Sequence, residues 1–164
     1  MHAACALVAL SILALTSTPT RASPARMPAE CFALLARDLP GWKDAAPSAE
    51  VAAWAKKKGN SPVVATGDFD GDARADWATI GSVEGKGKLV LCVGAPAARS
   101  LAISEDQGCS DYVYTIKRKT KVPNLDTGGE EVLRRDTAAT GCFEKSGRVF
   151  LYEGGSFRVF FNSD

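Results

Sequence analysis

A chain of 164 residues, 46% hydrophobic and 24% charged, is sized and composed for one globular domain. A formal charge of +1 excludes a purely electrostatic claim on nucleic acid or on an anionic membrane. A chain of this size also buries enough core that metal or disulfide support is useful without being obligatory.

The first element is a leader. Ala3 to Leu15 is an apolar run interrupted by Ser11 alone, followed by Thr16-Ser-Thr-Pro-Thr20 and small residues around Ala22 and Ala25. The run is too short for a bilayer, which takes about twenty residues. It has the length of a signal-peptide core, with Thr20-Arg21-Ala22 or Ser23-Pro24-Ala25 as the cleavage site. Residues 1–22 are therefore expected to be a secretory signal and 23–164 a single domain that is periplasmic or secreted. Loss of Arg21 brings the net charge to about zero, and loss of His2 removes the one histidine. Cys31, Cys92, Cys109 and Cys142 remain, an even count that reads as two disulfides in an exported chain. Spacing does not choose among the three pairings; the strand-like surroundings of Cys92 and Cys142 favour Cys92–Cys142 with Cys31–Cys109.

Pro28 suits a first helical turn, and Cys31, Leu34, Leu35 and Leu39 recur at helical spacing up to Pro40-Gly41. A second helix is capped by Ser48, carries Glu50 in its first turn and buries Val51, Trp54 and Ala55. Lys56-Lys-Lys58 complements its C-terminal dipole before Gly59. From Pro62 the pattern changes to strands: Val63–Thr66, Trp77–Ile80, a turn at Gly85–Lys88, the continuous apolar run Leu89–Val93, Tyr112–Ile116 and a short Val132-Leu133. Leu101–Ser110 and Val122–Glu131 read as exposed loops. Arg148–Tyr152 and Phe157–Phe161 form a hairpin, because Gly154-Gly155 supplies the positive φ angles of a tight turn. The order implies an α+β fold: two N-terminal helices, then a mostly antiparallel sheet of five to six strands ending in a C-terminal hairpin.

The sharpest chemical feature is Asp68-Phe-Asp-Gly-Asp-Ala-Arg-Ala-Asp76. Calcium takes six to eight oxygen ligands, and alternating acidic side chains on a short loop supply them. Asp68, Asp70, Asp72 and Asp76 stand at alternate or near-alternate positions, and Arg74 can add its backbone carbonyl. Carboxylates this close repel one another until a divalent cation joins them. Phe69 and Trp77 are expected to point away, into apolar surroundings. The segment Gly67–Ala78 resembles the FG-GAP or VCBS-type calcium loop, Gly-Asp-Phe-(Asp/Asn)-Gly-Asp-Gly-x-x-Asp-(Leu/Ile)-Ala. That resemblance covers about a dozen residues. It implies that the loop joins two strands and that Asp68, Asp70, Asp72 and Asp76 bind calcium. Ala73 replaces the usual glycine, at a cost of about 1 kcal/mol where φ is positive. One copy excludes a propeller. The layout as a whole is similar to small exported bacterial proteins that pair one such loop with a C-terminal hairpin near Ser-Asp, which implies no activity.

Without histidine in 23–164 there is no Ser-His-Asp triad, Cys-His pair or histidine zinc site. Nucleotide-binding glycine motifs and Ser-x-x-Lys are also lacking. A carboxylate pair is the remaining catalytic option, with Glu84, Glu105, Asp106, Glu130, Glu131 and Glu144 as candidates that surface solvation accounts for equally. Lys117-Arg-Lys-Thr-Lys121 reads as protection of a sheet edge, and Glu130-Glu131 beside Arg134-Arg135 as exposed charge pairing. The expected function is a calcium-binding, non-catalytic module that binds a protein, of inhibitor or immunity type. The alternatives are a surface adhesion module and a carboxylate-dependent polysaccharide hydrolase.

Overall fold

The computed structural model describes residues 26–58, 61–94, 99–105, 110–143 and 147–162. The leader, Gly59, Asp106, Cys109, Glu144 and the terminal Ser163-Asp164 lie outside them. Among the described residues, no helix is long and apolar enough to cross a membrane.

Helix α1 (Ala29–Asp38) starts after Pro28 and turns Cys31 and Leu35 into the protein. Helix α2 (Ala49–Lys58) is capped as its sequence requires, with the Val51 amide donating to Ser48 Oγ at 3.2 Å. Between them lies a two-residue strand, β1 (Lys43–Asp44), so the helices do not precede the sheet as a block. The strands that follow are β2 (Val64–Gly67), β3 (Asp76–Val83), β4 (Lys86–Val93), β5 (Ser100–Glu105), β6 (Tyr112–Ile116), β7 (Lys121–Asn124), β8 (Gly129–Val132), β9 (Thr137–Gly141), β10 (Gly147–Glu153) and β11 (Ser156–Asn162).

The expectation of an α+β fold with five to six strands is thus corrected: 48% of the described residues are strand against 16% helix, and the pairing among them is antiparallel throughout. The extra strands have weak local signals. Ser100–Glu105, read as part of a loop, is an edge strand of polar and apolar residues with Ala102 buried. Thr137–Gly141 is small and unpatterned because all five residues are buried, leaving no solvent face to alternate with. Val122–Glu131, also read as a loop, forms most of the β7–β8 hairpin, with Val122 and Asn124 buried.

β3 is the hub of the first sheet. Its Asp76–Thr79 half pairs with β2 and its Gly81-Ser82 end with β1; the opposite edge pairs with β4, which pairs with β5. The second sheet runs β11-β10-β9-β6. The two meet where the Val113 amide donates to the Pro62 carbonyl at 2.9 Å and Thr115 Oγ1 to the Thr66 carbonyl at 2.8 Å.

Strand alternation sorts the core into three zones. Ala78, Ile80, Leu89, Leu91, Val93, Val113, Ala138 and Phe150 fill the space between the sheets, together with Phe69 from the loop. On the outer face of the first sheet, Val90 and Cys92 meet Cys31 and Leu35 of α1 and Leu39 at its C-cap. On the outer face of the second, Val149, Leu151 and Phe160 meet Val122 and Leu133 at the β7–β8 hairpin. Both faces of β4 are therefore covered, which is why Leu89–Val93 reads as a continuous apolar run. The C-terminal hairpin turns at Gly154 (φ 61°) and Gly155 (φ 108°), as read from the sequence. The turn before β4 is Glu84-Gly85, both at positive φ, slightly ahead of the expected Gly85–Lys88.

A disulfide joins Cys31 to Cys92, with Cα atoms 5.8 Å apart, and corrects the expected pairing of Cys92 with Cys142 and of Cys31 with Cys109. Cys92 lies on the α1 side of β4, opposite the face that looks toward the second sheet, so Cys142 is out of its reach. The bond closes a separation of 61 residues and ties α1 to the sheet. Loop-closure entropy for that length predicts that Cys31→Ala with Cys92→Ala destabilises the protein by about 4 kcal/mol at most. Equilibrium urea unfolding should show a lower midpoint, with α1 the first segment cut by protease.

Candidate metal centre

Gly67 ends β2 and Asp76 begins β3, and the two are register partners, so the eight residues between them form a loop whose ends are pinned by the sheet. Gly67 has no room for a side chain: a Cβ there would lie 2.7 Å from Phe69 Cε1 and 3.0 Å from both Asp136 Cβ and Thr115 Cγ2. This close approach sets the loop against the second sheet. Phe69 then plugs the central core at 1% exposure, and Trp77 turns to the α1 side beneath the Arg99 guanidinium, 4.5 Å from its ring centre. Both aromatics point away from the acidic side chains, as expected.

Asp68, Asp70 and Asp76 converge, each offering a carboxylate oxygen within 4.8 Å of the others. Asp76 is fully buried, on the same face of β3 as Ala78 and Ile80. Its Oδ2 accepts the Phe69 and Asp70 amides at 2.8 and 3.2 Å, and its Oδ1 the Gly94 amide at 3.3 Å. Burial raises its pKa to about 6 and the Asp70 charge adds to the shift, although the amides pull the other way. Asp68 Oδ1 is buried and has no hydrogen-bond partner. An orphaned carboxylate oxygen beside two further carboxylates is an electrostatic deficit that a hard cation corrects, and an all-oxygen donor set suits calcium or magnesium.

Asp72 lies apart from this group. Its Oδ1 accepts the Arg74 amide at 2.8 Å, while Asp70 Oδ1 accepts the Asp72 amide at 3.0 Å, so the exposed tip is folded by its own side chains. Arg74 is exposed. The tip reverses through Gly71 at φ 87° and Ala73 at φ 65°, the latter in the left-handed region an alanine disfavours.

Arg135, read from the sequence as exposed charge, and its neighbour Asp136 hold the loop from the segment that leads into β9. Arg135 Nη1 donates to the Asp70 carbonyl at 2.8 Å, and Asp136 Oδ2 accepts the Asp68 amide at 3.4 Å. Asp136 also receives Lys117 Nζ at 2.8 Å and the Arg118 amide at 3.1 Å. Burial opposes its charge, but Lys117 and the amides outweigh that and keep its carboxyl below the usual range. Lys117 and Lys121 of the basic run are thereby paired, the second with Glu130. No local pattern distinguishes Arg135 and Asp136 from their charged neighbours; their role comes from β6 and β9 being partners.

No family model, curated protein or solved structure matches the chain.

Two outcomes follow from this geometry. Ala73→Gly removes the left-handed penalty and should stabilise the protein by up to about 1 kcal/mol in urea unfolding. The second concerns pH. In the folded, metal-free protein Asp76 holds its proton up to about pH 6, whereas the unfolded chain releases it near 3.8. The ionised form is therefore the costly one, and stability rises as pH falls through 6. Acidification from about pH 7 to 5 should add roughly 1 kcal/mol in chelator, a gain that Asp76→Asn abolishes. Asp136 and Glu131, whose pKa values are lowered, oppose this only at more acidic pH.

Proposed function

We propose that the protein is a calcium-stabilised, non-catalytic binding module of an oxidising compartment, exported to the periplasm or beyond, and that it engages another protein in the manner of an inhibitor or immunity factor. The observation that carries the calcium reading is the convergence of Asp68, Asp70 and Asp76 around a buried carboxylate oxygen without a partner. Asp68, Asp70 and Asp76 would hold the ion, with Asp72 and the Arg74 carbonyl as further ligands if the exposed tip closes on it. The likeness of Gly67–Ala78 to FG-GAP and VCBS-type loops supports the same assignment. The buried Cys31–Cys92 disulfide supports the compartment, since such bonds persist where thiols are not kept reduced.

The hydrolase alternative needs an acid with a raised pKa in a cleft. Glu131 lines a groove, but its hydrogen bonds to Arg158 hold its pKa down, the wrong direction for a proton donor. A loop of this kind in one copy, rigidified by the sheets beside it, favours a structural ion in a binding scaffold.

Thermal unfolding of the mature, oxidised protein in EGTA and in about 1 mM calcium tests the reading. Calcium at a hundred times its dissociation constant adds about 2.7 kcal/mol, an upward shift of several degrees. Asp70→Ala should lose the response. A midpoint indifferent to calcium in both proteins would leave the loop as a polar turn.

A further inference from the structure

The β7–β8 hairpin and the β10–β11 hairpin leave a groove of about 330 Å³ between them. Leu133, Leu151 and Tyr152 contribute to its lining, and Val132, 56% exposed, is an apolar side chain on it. Three guanidinium groups and two carboxylates line it: Arg134, Arg135, Arg158, Glu131 and Glu153. They are not equally engaged. Arg158 is committed, with Nη2 and Nη1 donating to Glu131 at 2.6 and 3.1 Å and Nε to Glu153 at 3.2 Å. Arg135 places one nitrogen on the Asp70 carbonyl. Arg134 is exposed and, among the described residues, makes no ion pair within 4.0 Å. The surplus charge of the groove is positive and concentrated at Arg134–Arg135, beside apolar surface.

We propose that this groove takes an acidic segment of the protein partner, with a carboxylate on the Arg134–Arg135 pair and an adjacent apolar side chain against Val132. The assignment rests on the protein-binding reading above and names the chemistry of the partner. A guanidinium fork recognises a carboxylate through paired N–H donors. Exposed Val132 suits a neighbouring aliphatic side chain better than a sugar ring, and Tyr152, the one aromatic of the lining, already packs against Phe157. The calcium loop is a separate unit that touches the groove only through Arg135, so the two can fail independently.

The test is fluorescence-anisotropy titration of a short labelled peptide of alternating glutamate and leucine, in EGTA and in calcium. Controls are the same peptide with glutamine for glutamate and, as competitor, trigalacturonate. The glutamate peptide should bind saturably in at least one buffer and about tenfold more tightly than the glutamine peptide. Arg134→Gln should weaken it about tenfold with an unchanged unfolding midpoint, and Arg134→Lys should retain part of the affinity. Equal binding of the glutamine peptide, indifference to Arg134→Gln, absence of binding in both buffers, or preferential displacement by trigalacturonate would each overturn the proposal. The thermal response to calcium is unaffected by any of these results, so a failed groove is told apart from a failed loop.

Discussion

A fully buried carboxylate at the first residue of the hub strand is the constraint on which this structure turns. Asp76 is in register with the last residue of β2, faces the central core, and gathers the amides of Phe69, Asp70 and Gly94. Those three amides come from the loop before β3 and from the end of β4, so one side chain stitches together segments that the β ladder alone does not join. Burying a charge is costly unless it is well satisfied. Three amide donors meet part of that cost, and the raised pKa of Asp76 is the part they leave.

The remainder of the fold works to keep that arrangement in place. Phe69 inserts into the core between the sheets, anchoring the loop from below, while Arg135 and Asp136 hold its backbone from the segment that leads into β9. Asp136 is itself neutralised by Lys117, so this carboxylate adds no unpaired negative charge beside the loop. On the opposite side of the first sheet, the Cys31–Cys92 bond fixes α1 over β4. Such bracing from both sheets gives the acidic cluster a preorganised geometry, which is what a structural ion requires and what a flexible polar turn lacks.

Segments whose chemistry is local were legible from residues alone. The Ser48 cap, the positive-φ hairpin at Gly154-Gly155, the aim of Phe69 and Trp77 into apolar surroundings and the burial of both faces of β4 all follow from spacing and residue type within a few positions. The alternation of aspartates along 68–76 marked the candidate site. It did not separate Asp72, which folds the tip, from Asp68, Asp70 and Asp76, which converge. That division depends on Asp76 lying at a strand start on the core face, a matter of register between β2 and β3.

What the amino-acid sequence determined by itself was therefore the set of amphipathic helices, the stronger strands, the tight turn and the acidic loop, because each is dictated by periodicity or by backbone freedom over a short span. Only the tertiary structure decided the β-rich architecture, the Cys31–Cys92 pairing, the clamp by Arg135 and Asp136 and the groove between the two hairpins. Strands such as Ser100–Glu105 and Thr137–Gly141 have little intrinsic preference and take their form from the neighbours they pair with. Disulfide partners and clamping charges likewise meet across the sheets, through long-range proximity that no spacing along the chain encodes.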